Sequence, residues 1–178
     1  MPTYQWISRP LTEGEIEIAH QIFGNAIECD RIRILKRKFV FFQSPTVTMA
    51  PDGNIWFHPA GHLARDAVAD DFSKAPAGIR AHLVHELTHV WQHQNGVNLI
   101  LEKVLMFFRY GAFGGYHYEL VPGKPFENYN IEQQACIVAD AYLAGCGGKD
   151  FQFPEGLAIP VLAEGFSPES LRILPGQD

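Results

Sequence analysis

The chain has 178 residues, 47% of them hydrophobic and 19% charged, so it can bury roughly 70% of its unfolded surface and fold as a single domain without a staple. Its 14 basic and 20 acidic side chains leave a formal charge of −6, which gives no electrostatic footprint for nucleic acid. Cys29, Cys136 and Cys146 fit neither a disulfide framework nor a Cys-x-x-Cys zinc module, and no stretch approaches the ~20 apolar residues that span a bilayer, so no membrane partner is expected.

The opening "MPTYQWISRPLTEGE" lacks a basic region followed by an apolar one. The reading is therefore synthesis in the cytoplasm, with any export by a route that needs no cleaved leader. Thr12 and Glu15 form a capping-box pattern that predicts a helix to about Gly24. "RIRIL" and "VTMA" read as short strands, and "PDGN" (Pro51–Asn54) as a turn leading into the strand "IWFH". The basic run Lys36–Lys38 reads as a solvated face or a strand edge. Helical patterning runs from about Pro76 to Asn95, where Gly96 supplies a stop, and "LILEKVLMFFRYG" predicts a further helix. "GAFGGYHYELVPGKPFENY" reads as an irregular excursion. Asn130 with Gln133 then caps a helix ending near Gly145, and the tail from about residue 150 reads as irregular. A small sheet followed by helices makes the expected fold class α+β.

The segment "HLVHELTHVWQHQ" contains His-Glu-x-x-His as His85, Glu86 and His89. On a helix the two histidines lie one turn apart on one face and can point at one ion, with the Glu86 carboxylate within reach of an attacking water. That pairing suits zinc hydrolysis, two neutral imidazoles binding while the carboxylate acts as general base. His82 and His93 fall within about 80° of the same face, but Val90, not an acid, follows His89. They are expected beside the metal or along the cleft.

A catalytic zinc needs a third protein ligand and an open position. Gln92 and Asn95 stand where a metzincin would have glycine and histidine, which excludes that class. Glu102, Glu119, Glu127 and Glu132 remain candidates; Glu132 is favoured because it opens a capped helix, and the others stay open. "YHYEL" offers Tyr116, His117 and Tyr118 as donors to a developing oxyanion, with Tyr118 preferred. "NIWFH" offers either core packing or a strand edge for an extended peptide. Cys136, one turn after Glu132, is considered as a soft fourth ligand and set aside in favour of a buried cysteine.

"HELTHVWQ" followed by "YNIEQQA", with "LTEGEIEIAHQIFG" and "IWFHP" nearer the start, resembles the zincin-like metallopeptidase domain of Vgr-related bacterial proteins. In its best-known form that domain is the C-terminal part of a VgrG spike protein of type VI secretion. The resemblance spans about residues 10 to 145. It implies a zincin-like fold, Zn2+ held by His85, His89 and Glu132, and Glu86 as the catalytic glutamate. It also implies a peptide or protein substrate and a secretion-apparatus partner. The rival expectations are a zinc amidohydrolase of cell-wall peptides and a non-catalytic zinc-stabilised module of a secretion apparatus.

Overall fold

The computed structural model describes residues 7–65, 67–111 and 115–147; the expected irregular tail lies outside them. Four short strands, β1 (Ser8–Pro10), β2 (Arg33–Leu35), β3 (Thr48–Met49) and β4 (Ile55–Phe57), form one sheet in the order β1-β2-β4-β3. β2 and β4 run parallel, whereas β1 on β2 and β3 on β4 are antiparallel. The helices are α1 (Glu13–Phe23), the single-turn α2 (His62–Arg65), α3 (Ala77–Gln94), α4 (Leu99–Tyr110) and α5 (Ile131–Gly145). The mixed α+β class expected from the sequence is observed.

Both capping boxes form. Thr12 Oγ1 accepts from Glu15 N at 3.2 Å while Glu15 Oε2 accepts from Thr12 N at 2.8 Å. Glu15 does more than cap. Fully buried, it also accepts two bonds of 2.7 Å from the Arg9 guanidinium and one of 2.8 Å from Phe72 N. A buried carboxylate is tolerated only when paired and hydrogen-bonded. Here those partners tie β1, α1 and the 3-10 turn Phe72–Lys74 together.

The core sits between the sheet and the helices. Ile32, Ile34, Ile55 and Phe57 meet Ile18, Ile22 and Phe23 of α1, and Leu83, Val84, Leu87 and Val90 of α3 meet Ile137, Val138 and Tyr142 of α5. From Leu83 to Val90 only His85 is not fully buried, so α3 is a central helix packed on several sides. β4, the "IWF" strand, is paired on both sides and offers no edge to a peptide; the edge strands are β1 and, next to β4, β3. Burial of Ile55 and Phe57 explains why β4 lies inside the sheet.

α4 departs from the usual amphipathic pattern. Only Leu99 and Met106 are buried, while Ile100, Leu101, Val104, Leu105, Phe107, Phe108 and Tyr110 are exposed.

Candidate metal centre

His85 and His89 project from α3, and Glu132 from the first turn of α5, where Asn130 Oδ1 accepts from the backbone N–H groups of Glu132 and Gln133 at 3.0 and 2.9 Å. The capped turn holds Glu132 rigidly against α3. His85 Nε2 lies 3.3 Å from Glu132 Oε2, and His89 Nε2 lies 3.1 Å from Glu132 Oε1. One ligand atom from each residue falls within 4.8 Å of the others. Donors ~2.0–2.1 Å from one tetrahedral ion sit ~3.3 Å apart, which is the size of the two His–Glu distances. Of the four acidic candidates for the third position, Glu132 is the one that faces both histidines.

A chain of amides fixes which nitrogen of His89 is available. Gln134 Nε2 donates to the Tyr129 carbonyl at 2.8 Å, so its Oε1 is left to accept from Gln92 Nε2 at 2.9 Å. Gln92 Nε2 also donates to the Ile131 carbonyl at 3.1 Å. Gln92 therefore presents Oε1 to His89, and Nδ1 of His89 must carry the proton in that 2.8 Å bond. A neutral His89 then points an Nε2 lone pair at the Glu132 carboxylate. Two facing lone pairs repel unless a cation lies between them or the ring takes a second proton. A metal-bound histidine is expected to have its other ring nitrogen held by a hydrogen bond of this kind.

The carboxylates are poised differently. Burial alone would raise the Glu132 carboxyl, but the facing His85 and His89 nitrogens and the Lys103 charge hold it well below the ordinary range. Glu86, 4% exposed, is pushed up to about 7 by burial, with the nearby Glu132 charge adding to the rise and His85 opposing it. Glu86 Oε2 and Glu132 Oε1 are buried and accept no hydrogen bond, although Lys103 Nζ and His89 Nε2 lie within ion-pair range of the latter. A buried Glu86 oxygen left without a hydrogen bond, lining the same cleft as the His/Glu cluster, suits a water held beside an ion.

The cluster forms the floor of a cleft of about 1570 Å³. One wall is α4 with Ile100, Val104, Phe107 and Phe108; the other is the segment from Phe39 to Pro51, including the edge strand β3. His82 lines this cleft as expected, its Nε2 2.8 Å from Thr48 Oγ1 and 3.7 Å from Glu86 Oε1. His93 does not: it is exposed and packs beside Gly53 in the β3–β4 turn, since α3 has passed beyond the cleft by then.

Two further expectations meet a different arrangement. The Tyr118 hydroxyl donates to Asp140 Oδ2 at 2.6 Å, which together with burial raises its pKa, so its proton is committed away from the cluster. Tyr116 is the tyrosine joined to the cluster: Lys103 Nζ donates to its hydroxyl at 3.2 Å and contacts Glu132. Cys136 Sγ lies 3.9 Å from His85 Nδ1, the ring nitrogen opposite the candidate ligand atom, and so stands behind the cluster. Cys29, Cys136 and Cys146 form no disulfide.

Fold and site together define a class: an α+β chain carrying a helix-borne His/Glu cluster at the floor of an open cleft. No family model matches the chain. It is 40% identical over 136 residues to the type VI secretion system spike protein VgrG2b of Pseudomonas aeruginosa, covering 76% of this chain and 13% of that protein. Among solved structures, the effector domain of Pseudomonas aeruginosa VgrG2b superposes with a TM-score of 0.68 and 39% identity, over 79% of this chain and 76% of that one. The chain belongs to the family of the VgrG2b effector domain.

Proposed function

We propose that this chain is a zinc metallopeptidase of zincin-like fold that serves as a type VI secretion effector. The observation that carries the reading is the Gln134–Gln92–His89 chain, which leaves His89 Nε2 as a lone pair aimed, with His85, at a buried carboxylate. His85, His89 and Glu132 would hold the ion. Zinc bound there would supply Lewis-acid polarisation of the scissile carbonyl and lower the pKa of the attacking water.

The protein's own groups do the rest. Glu86, with Oε2 unpartnered and its carboxyl near neutrality, accepts the proton of the attacking water and delivers it to the leaving amine. Tyr116, rather than Tyr118, serves as oxyanion donor, because its hydroxyl accepts from Lys103 and keeps its own proton to donate. The edge strand β3 lies along one wall, where an extended peptide can add a strand. The largely apolar walls, on which Lys103 is the one Lys or Arg among the described lining residues, favour a polypeptide over carboxylate-rich cell-wall peptides. A purely structural zinc site has no use for a buried Glu86 with one oxygen left without a hydrogen bond.

The kinship with VgrG2b supports delivery by a type VI apparatus in association with a spike. Among the described residues no helix is long and apolar enough to cross a membrane. The test of the metal site is zinc content. Purified protein should hold one zinc per chain, and Glu132→Ala should lose it; a variant retaining zinc like the parent would remove Glu132 from the site.

A further inference from the structure

We infer that the two lips of the cleft form a docking surface for an anionic lipid bilayer. The first lip carries Phe41 and Phe42, 87% and 73% exposed; the second carries Phe107 and Phe108, 58% and 81% exposed. Each pair packs edge to face, with ring centroids 5.0 and 5.8 Å apart, so each lip ends in an aromatic wedge. Phe42, Phe107 and Phe108 all line the same cleft, which places both wedges around one opening. Leu101 and Leu105 extend the apolar surface of α4 outside the cleft. Folded proteins rarely expose large apolar side chains in such clusters unless something covers them.

Charge selects the occupant. The segment from Lys36 to Ala50 contains three basic residues and no acidic one, in a chain whose formal charge is −6. Lys36 pairs with Asp70 at 3.9 Å, while Arg37 and Lys38 are exposed at the base of the first wedge. Lys38 Nζ donates to the Phe41 carbonyl at 3.2 Å, which keeps that charge beside the aromatic tip. On the second lip Arg109 follows Phe108 directly and lies over the Tyr110 ring, 5.3 Å from its centroid. Aromatic side chains ringed by Lys and Arg are the pattern of interfacial insertion: rings enter the headgroup boundary and cations meet lipid phosphates. A second copy of the chain would bring these basic groups together and an uncharged peptide would leave them idle. Docking of this kind needs no spanning helix, and it turns the cleft mouth toward the bilayer.

The test is co-sedimentation of the full chain with vesicles of phosphatidylglycerol and phosphatidylethanolamine, against vesicles of phosphatidylcholine alone. Binding should favour the anionic vesicles and weaken as salt rises. Phe41→Ser with Phe42→Ser, and separately Phe107→Ser with Phe108→Ser, should lower the apparent affinity by about tenfold or more, as should Arg37→Glu with Lys38→Glu. These side chains are exposed, so unchanged melting temperatures will show that the variants fold. Absence of binding by the parent chain would overturn the proposal, as would equal binding by all three variants. A stable dimer that Phe107→Ser with Phe108→Ser dissociates would assign the face to a second copy and overturn it too.

Discussion

Gln92 Oε1 accepts the Nδ1 proton of His89 at 2.8 Å, and the direction of that bond is set from α5 and the turn before it, through Gln134 and the Tyr129 carbonyl. The imidazole is thereby held in one tautomer and one orientation. Gln92→Leu should therefore weaken zinc binding by roughly 10–100-fold. Competitive titration with a chromophoric chelator reads the change. Equal affinity in parent and Gln92→Leu would show that the tautomer is fixed in another way.

The tyrosines separate by what their hydroxyls already do. Tyr118→Phe removes a donor to Asp140 and should leave kcat nearly unchanged, with a stability loss of about 1 kcal/mol for one hydrogen bond. Tyr116→Phe removes the proposed oxyanion donor and should lower kcat by roughly 10²-fold with little change in KM. Steady-state kinetics on one peptide decides between them, and the reverse ranking would return the role to Tyr118.

Much of this was legible in the sequence because it is local. Thr12 with Glu15 and Asn130 with Gln133 mark helix starts by a bond reaching three residues, and both capping boxes are present. His85, Glu86 and His89 declare themselves by helical spacing alone. Glu132 was favoured for the rigidity of its capped turn, which is the feature that holds it against α3. What was not legible is long-range. Lys103 reaches Glu132 from a separate helix, and nothing in the spacing of those residues announces it. Gln92 lies one turn after His89 on the same face, so its bond has a signal in the helical spacing. β4 was open to reading as an edge because a three-residue strand does not reveal its neighbours, and the parallel pairing with β2 had no local signal.

One pH effect follows from a site remote from the cleft. Burial alone would raise the Asp71 carboxyl, but hydrogen bonds from Ser73, Lys74 and Thr12 hold it at about 2, below its ordinary 3.8. A depressed carboxyl stabilises the fold fully above its unfolded pKa and loses that contribution as pH falls through the folded one. Asp71→Asn should thus lower stability at pH 7 by on the order of 1–2 kcal/mol, and the gap to the parent should close between about pH 4 and pH 2. Thermal unfolding across that range checks it, and a gap independent of pH would refute the assignment.

The central claim is that Glu86 works as a base beside a metal that it does not hold. Glu86→Gln keeps the shape of the side chain and removes its basicity. Zinc content should stay at one per chain and the melting temperature should hold or rise, since a buried carboxylate is replaced by an amide. Hydrolysis of unfolded casein should fall by at least ~10²–10⁴-fold, with His85→Ala losing metal and activity together as the control for contaminating protease. Casein hydrolysis at the parental rate by zinc-loaded Glu86→Gln, with none by His85→Ala, would contradict the claim.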